Sequence, residues 1–212
     1  MLVPLSLQPK PVKAFLSACV FFEVIALAGL FIGMGAAPRN FLIAFGGFWP
    51  DLLKGALPAF PGQPILMFAT TAVLHGGPLH LFMNMVGLLW LGPLIVNRVG
   101  NAGFWPIAGL SALGAGCLFA LFADAGVPSV GASGVLFGFL GTVAVWEVFD
   151  RHAAGESLSP LVEQGSVLLV INVALVVANP DTIAWEAHLG GFIAGALCGL
   201  ITWRGYDTRG WM

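Results

Sequence analysis

Four side chains that could take part in covalent chemistry lie where apolar stretches of this sequence begin. Ser133 lies in "GASG" and His188 lies in "EAHLGG", each at the start of such a stretch, and His80 and Asn84 lie in "HLFMNM" at the start of a third. A serine hydroxyl becomes a nucleophile when a neighbouring base takes its proton, and histidine is the usual base near neutral pH. Ser133 and His188 are therefore the predicted nucleophile and base.

Acyl transfer also requires hydrogen-bond donors for the negative oxygen that forms on the attacked carbonyl. His80 and Asn84 are four residues apart, hence on one face of a helix, and both side chains can donate. The backbone N–H of Ser133 is a further donor, because the first residues of a helix have no intrahelical acceptor for their N–H groups. We therefore predict that His80, Asn84 and Ser133 hold the oxyanion.

Small residues accompany Ser133 and His188 and would allow their helices to pack closely. Gly134 follows Ser133, and Gly191 and Gly195 form a GxxxG pattern after His188. Such patterns let the backbones of membrane helices approach each other. The residues interpreted as structural near the site are Gly131, Gly134, Gly191 and Gly195.

The composition indicates that these residues lie in a membrane. The chain has 212 residues, of which 58% are hydrophobic and 8% charged, and its mean hydropathy is +0.95. A soluble domain of this size cannot bury so much apolar surface in one core. Six apolar segments, each near the roughly 20 residues that cross a bilayer, are predicted as transmembrane helices: 14–34, 79–96, 104–122, 131–149, 161–178 and 187–203. We expect an all-α membrane protein with one domain over 1–212 and a core of about 14–203.

Six crossings place both termini on one side of the membrane, and basic residues in short loops mark the cytoplasmic side. One side would carry Lys10, Lys13, Arg98, Arg151, Arg204 and Arg209, and the other Arg39 and Lys54. Both termini are therefore predicted to be cytoplasmic. The second, fourth and sixth spans then begin in the outer leaflet, so their polar residues have similar depth. The chain has no basic patch that would favour nucleic acid.

The segment 35–74 is too long for a simple connection between the first two spans. It is rich in glycine, proline, phenylalanine and tryptophan, and we expect it to fold back onto the membrane surface. Two polar residues, Glu23 in the first span and Asn172 in the fifth, are expected to form hydrogen bonds within the bundle.

Each candidate side chain has a simpler interpretation when it is taken alone. Ser133 could cap or pack a helix, and His188 could be an interfacial histidine. His80 with Asn84 could be an interhelical hydrogen-bonded pair. Polar residues at membrane depth are costly and usually functional, so their shared depth favours a site. A metal or haem site is disfavoured, because no HExxH motif, cysteine pair or carboxylate cluster accompanies His75 or the other histidines; no metal or other cofactor is expected.

These motifs, taken together, resemble those of the rhomboid intramembrane serine proteases. "HGGPLHLFMNM" matches the family's HxxxxHxxxN pattern at His75, His80 and Asn84, and it is followed by "GASG" at Ser133 and "AHLGGFIAG" at His188. Their order and spacing agree with a six-helix rhomboid core over nearly the whole chain.

The resemblance implies a Ser133–His188 dyad without an acidic third member, an oxyanion site of His80, Asn84 and the Ser133 amide, and a structural role for His75. It implies cleavage of peptide bonds in or near transmembrane segments of other membrane proteins. The partners would be these substrates and the lipid bilayer, with the oligomeric state open. The loop 178–186 is expected to cover the site. A bacterial inner membrane is the expected location, because no long basic, serine-rich leader suggests organelle import, and the site would open to the periplasmic side.

Two motifs of the family are altered in this sequence. The family's Trp-Arg pair of the long loop would fall at Leu66 and Met67, and its Glu-x-Arg motif is reduced to Arg98, with Val96 in place of glutamate. A catalytically inactive rhomboid-like protein that binds transmembrane helices is therefore the alternative function. A transporter or channel is disfavoured, since the sequence has few charged or broken helices near the midplane.

Overall fold

The structure, a computed structural model, describes residues 4–178 and 183–203, and every long element in these ranges is a helix. The helices are α1 (Lys10–Phe31), α2 (Ala37–Gly46), α3 (Pro50–Leu53), α4 (Gln63–Thr70), α5 (Pro78–Phe122), α6 (Ser133–Ala154), α7 (Ser159–Ala178) and α8 (Trp185–Thr202). Short 3₁₀ turns at Leu5–Leu7 and Thr71–Val73 precede α1 and follow α4. The predicted all-α fold is confirmed for the described residues.

Four of the described helices, α1, α5, α6 and α7, are long and apolar enough to cross a membrane. Helix α5 has 45 residues, which corresponds to about 67 Å, roughly twice the thickness of the hydrocarbon layer. It is interrupted at Gly100, whose φ of 74° and ψ of 175° are not helical. Glycine adopts this left-handed φ at little cost, so α5 consists of two arms that meet at Gly100.

The two arms of α5 run in opposite directions. The first arm ends where Arg98 pairs with Asp150, near the end of α6. The second arm begins after Gly100 and reaches the start of α6, where the side chain of Ala115 lies against Gly134. The arms therefore correspond to the predicted second and third spans, joined by a tight reversal of the chain.

Helices α6 and α8 run parallel and in backbone contact. Gly191 lies against the carbonyl oxygen of Gly134, and Gly195 lies against the carbonyl oxygen of Gly138. A Cβ atom at Gly191 or Gly195 would overlap these carbonyls, so glycine alone fits. Thr142 Oγ1 adds a hydrogen bond of 2.8 Å to the carbonyl oxygen of Gly195. The close approach indicated by the GxxxG pattern is present in the fold.

The segment between α1 and α5 forms α2, α3 and α4 instead of an open loop. It exposes large apolar side chains, including Phe41, Leu57 and Ile65. Its association with the membrane surface stays a prediction, and these exposed apolar groups are the feature that supports it.

Helix α7 lies at the periphery, and none of its described side chains is buried. Asn172 is exposed, and its Nδ2 donates a hydrogen bond of 3.0 Å to the carbonyl oxygen of Leu168 in the same helix. The hydrogen bond expected for Asn172 is therefore made within α7 itself. The peripheral position of α7 has a physical reason, because an evenly apolar helix gains as much from lipid contact as from protein contact.

The basic residues of the described chain are divided between the two ends of the bundle. The start of α1 lies beside the far part of the first arm of α5, where Val12 contacts Gly92. Lys10, Lys13, Arg98 and Arg151 therefore share one end, and Arg39 and Lys54 lie towards the other. Arg204 and Arg209 lie outside the described residues. This division is the one used to predict the orientation, and the side of the membrane on which each end lies stays a prediction.

Candidate active site

Gly131 lies next to both the ring of His80 and the hydroxyl of Ser133. Gly131 has a φ of +131°, which favours glycine, and Ser133 begins α6 two residues later. A Cβ atom built on Gly131 would lie 2.8 Å from Nε2 of His80 and 3.7 Å from Oγ of Ser133. The absence of a side chain at Gly131 therefore leaves room for both groups beside each other.

The segment that leads to Ser133 is held by the region before α5. Thr71 Oγ1 donates a hydrogen bond of 2.7 Å to the carbonyl oxygen of Ser129, and the N–H of Gly131 donates one of 3.0 Å to the carbonyl oxygen of Thr71. Phe48 and Ser129 exchange two backbone hydrogen bonds, each 2.9 Å long. Sequence reasoning missed Thr71 and Phe48, because no local pattern indicates bonds between residues so far apart in the chain.

His188 lies on the face of α6 that carries Ser133. Its ring stacks on Phe137, with ring centroids 4.2 Å apart and planes at 10°. Phe137 is four residues after Ser133, hence on the same helical face. The hydrogen bonds of the described residues include none between Ser133 and His188. A proton transfer between the two side chains would require them to move closer, as catalytic hydrogen bonds commonly do when substrate binds.

The backbones of α6 and α8 lie close together next to Ser133 and His188. The carbonyl oxygen of Ala187, the residue before His188, lies 3.6 Å from the Cβ position of Gly134, the residue after Ser133. One turn further along α8, Gly191 lies against the carbonyl oxygen of Gly134. The predicted structural glycines thus hold α6 and α8 together directly beside the predicted dyad.

His80 presents its Nε2 atom to this site, and its Nδ1 atom faces away. The N–H of Gly76 donates a long hydrogen bond of 3.4 Å to Nδ1 of His80. A neutral histidine that accepts at Nδ1 carries its proton on Nε2. Nε2 is the nitrogen that lies at Gly131, so His80 has a donor directed to the point beside Ser133.

Asn84 and His75 are buried around His80. Asn84 is 5% exposed, and its Nδ2 donates a hydrogen bond of 2.8 Å to the carbonyl oxygen of His80, which leaves one amide N–H as a further donor. His75 is 4% exposed, and its ring meets that of His80 edge to face at 5.2 Å. Within the described ranges, no group of three or more His, Cys, Asp or Glu side chains is arranged to hold a metal ion.

A partly buried ion pair lies next to these histidines. Arg39 of α2 donates hydrogen bonds of 2.9 Å and 2.7 Å to the two carboxylate oxygens of Glu23 in α1. The same guanidinium donates one of 2.6 Å to the carbonyl oxygen of His75. The hydrogen bonds from Arg39 to Glu23 raise the pKa of Arg39 above its ordinary value. The expected bonding of Glu23 within the bundle is thus present, and Arg39 is a residue that sequence reasoning did not connect to the site.

Arg98 forms an ion pair with Asp150 of α6, at the end of the bundle opposite to the candidate site. Its Nη2 donates a hydrogen bond of 2.9 Å to Asp150, and Nε1 of Trp203 donates one of 3.0 Å to the same carboxylate. The Arg98 guanidinium also lies 5.1 Å above the ring centroid of Trp146. Asp150 therefore provides a carboxylate where Val96 replaces the family's glutamate.

A cavity of about 20 Å³ adjoins Ser133 on the side of the second arm of α5. Its lining includes Thr71, Ala115, Phe119 and Ala187. A cavity of this volume can hold one water molecule. Of the loop expected to cover the site, residues 179–182 lie outside the described residues.

Comparison with known proteins agrees with the motifs. Residues 63–205 match the Rhomboid domain. The chain is 33% identical over 129 residues to RHOMBOID-like protein 4 of Arabidopsis thaliana, which covers 60% of this chain and 32% of that protein. It is 29% identical over 164 residues to Rhomboid protease GluP of Bacillus subtilis (strain 168), a match that covers 75% of this chain and 27% of that protein. It is 27% identical over 148 residues to Rhomboid-like protease 5 of Toxoplasma gondii, covering 65% and 16%.

The matched region thus spans about a third or less of the length of these relatives. They come from a plant, a bacterium and a protozoan, so the expected bacterial membrane stays a prediction. The apolar helices and the Rhomboid domain make this an integral membrane protein. Because that domain covers more than half of the chain, the protein belongs to the rhomboid family.

Proposed function

We propose that this protein is an intramembrane serine endopeptidase that hydrolyses peptide bonds in or near transmembrane segments of other membrane proteins. The observation that carries the proposal is the placement of Ser133 Oγ and His80 Nε2 together at Gly131, with His188 on the same face of α6. Two relatives, from Bacillus subtilis and Toxoplasma gondii, are named as proteases, which supports the same reaction class.

In the proposed reaction, Ser133 is the nucleophile and His188 is the base. His188 takes the hydroxyl proton while Ser133 Oγ forms a bond to the carbonyl carbon of the substrate. When the C–N bond breaks, His188 returns the proton to the leaving amine, and an ester between Ser133 and the substrate remains. Water then attacks this ester with His188 as base, which releases the acid product and restores the hydroxyl.

The negative oxygen of each tetrahedral intermediate would be held by three donors. His80 contributes Nε2–H, whose position is supported by the hydrogen bond from Gly76 to Nδ1. Asn84 contributes an amide N–H, and the backbone N–H of Ser133, at the first residue of α6, has no acceptor within the helix. Removing one such donor typically costs about 10²–10³ in kcat.

The substrate must lose its helical form at the cleavage site. In a regular helix the carbonyl that is attacked is engaged in a backbone hydrogen bond and shielded by side chains. We propose that the site opens on the side opposite the cytoplasm, at the end of the bundle that carries Arg39 and Lys54. The basic residues at the other end, Lys10, Lys13, Arg98 and Arg151, support this orientation.

The test is cleavage of a reporter transmembrane substrate by purified protein in a lipid bilayer. Wild type should cleave it, and Ser133→Ala and His188→Ala should each abolish cleavage. Asp150→Asn is a matched control at the far end of α6, and it should retain turnover in the folded protein. A folded wild type that leaves every reporter intact while still binding it would favour the alternative, an inactive helix-binding protein.

A further inference from the structure

One peptide group links the ion pair of Glu23 and Arg39 to His80. It is the group between His75 and Gly76, whose carbonyl oxygen accepts the 2.6 Å hydrogen bond from Arg39. Its N–H donates to Nδ1 of His80 at 3.4 Å. In a planar trans peptide, C=O and N–H point in opposite directions. Arg39 therefore bonds to the C=O and His80 to the N–H of the same peptide group.

Arg39 is held beside this carbonyl by two further hydrogen bonds, both to Glu23. Glu23 accepts from both terminal nitrogens of the guanidinium, in the two-point geometry that fixes an arginine most firmly. Glu23 itself is 4% exposed and belongs to α1, whereas Arg39 belongs to α2. The pair thus fixes the 75–76 peptide relative to the first long helix.

Stability alone does not account for a largely buried ion pair within an apolar protein. Replacing such a pair with apolar residues of similar volume is often neutral or stabilising, because two charges no longer have to be removed from water. A pair that holds a third group in a set direction has a positional effect that apolar replacements cannot reproduce. The third group here is the His75 carbonyl.

We propose that Glu23 and Arg39 are positioning residues for the oxyanion donor: by orienting the 75–76 peptide, they keep the proton of His80 on Nε2, where it faces Ser133. This inference rests on the proposed function for its effect on turnover, and its effect on His80 stands independently of catalysis. The ion pair of Glu23 and Arg39 also fixes the long loop to α1. In this loop, Leu66 and Met67 replace the family's Trp-Arg pair.

The test uses the double variant Glu23→Leu/Arg39→Leu in the full chain, which leaves neither charge unpaired. The matched control is Arg98→Leu/Asp150→Leu, a second partly buried ion pair, at the opposite end of the bundle. The first readout is the ¹⁵N spectrum of labelled histidine, with the His80 signals assigned by a His80→Gln variant. A protonated and an unprotonated ring nitrogen have different shifts, so the spectrum reports the tautomer directly.

In wild type and in the control, His80 should carry its proton on Nε2. In Glu23→Leu/Arg39→Leu, it should become a mixture of both tautomers. Turnover by this variant should fall about tenfold in kcat with KM within twofold, because His80 is proposed to act on the oxyanion alone. Its thermal midpoint should not fall below that of the control.

An unchanged His80 tautomer, or wild-type kcat, in the folded double variant would overturn the proposal. If the leucine pair does not fold, Glu23→Met/Arg39→Met provides unbranched side chains for the same comparison. If wild type itself fails to cleave, the proposed function is at fault. The spectrum still decides whether Glu23 and Arg39 set the tautomer.

Discussion

The imidazole of His80 lies where a side chain at Gly131 would be, with Nε2 only 2.8 Å from the position of a Cβ atom. Position 131 therefore requires glycine for two reasons. Its φ of +131° is strained for any other amino acid, and a side chain would push His80 away from Ser133.

Gly131→Ala should therefore reduce cleavage about 100-fold or more, which is the size expected when an oxyanion donor is displaced. The control is Gly126→Ala in the same loop, where φ is +78° and nothing lies within 4 Å of the Cβ position. That variant carries backbone strain of about 1–2 kcal/mol without touching His80. Initial cleavage rates decide: equal losses in both variants would mean that strain, and not the position of His80, explains the effect.

Thr71 and Thr70 are neighbours whose hydroxyls hold different parts of the molecule. Thr71 Oγ1 donates to Ser129, in the segment that leads to Ser133, and Thr70 Oγ1 donates to Gly46 in the long loop. Valine replaces threonine with the same shape, so each substitution removes about 1 kcal/mol of hydrogen bonding. Thr71→Val should lower kcat about tenfold, whereas Thr70→Val should lower stability alone. A kcat for Thr71→Val equal to that of Thr70→Val would contradict the role given to Thr71.

Contact between α6 and α8 should be very sensitive to side-chain size. Gly195→Ala places a methyl group on the carbonyl oxygen of Gly138, and overpacking of this kind costs about 1–3 kcal/mol or more. Gly109→Ala is the control, because its Cβ position in α5 is open and alanine favours a helix by about 1 kcal/mol. Unfolding midpoints in detergent should fall for the first variant and rise slightly for the second. Equal midpoints would show that α6 and α8 are less closely packed than described.

Burial, together with the nearby charges of His80 and Arg39, lowers the pKa of His75 to about 4. The unfolded chain binds this proton near pH 6.5, so between pH 6.5 and 4 the unfolded state holds more protons than the folded one. Stability should therefore decrease as the pH falls through this window, by about 3 kcal/mol in total. His75→Gln should show a shallower decrease in thermal midpoint from pH 7 to 4.5. If the thermal midpoints of wild type and His75→Gln decrease equally with falling pH, the lowered pKa of His75 would be contradicted.

The helices were predictable because their signals are local. Runs of apolar residues indicated the long helices, and α1, α6 and α8 overlap the predicted spans 14–34, 131–149 and 187–203. The GxxxG pattern indicated the close contact at Gly191 and Gly195, since small residues at this spacing let membrane helices approach closely. The exact point of reversal at Gly100 was less apparent, because one glycine among several does not stand out in the sequence and only its backbone angles break the helix.

The surroundings of the site were not predictable in the same way. Arg39 and Glu23 are 16 residues apart and meet because α2 folds back on α1, and Thr71 meets Ser129 across 58 residues. Neither contact leaves a periodic or motif-like trace. The position of α7 was also inaccessible, because a helix that is apolar on every face carries no sign of which face contacts protein.

Covalent labelling of Ser133 tests the central claim most directly. A fluorophosphonate reacts with a serine whose hydroxyl is activated by a base and whose oxyanion donors are in place. Mass spectrometry of labelled wild type should place the adduct on Ser133, and folded His188→Ala should remain unlabelled at that residue. Labelling of His188→Ala at the wild-type rate, or folded wild type without an adduct on Ser133, would contradict the account.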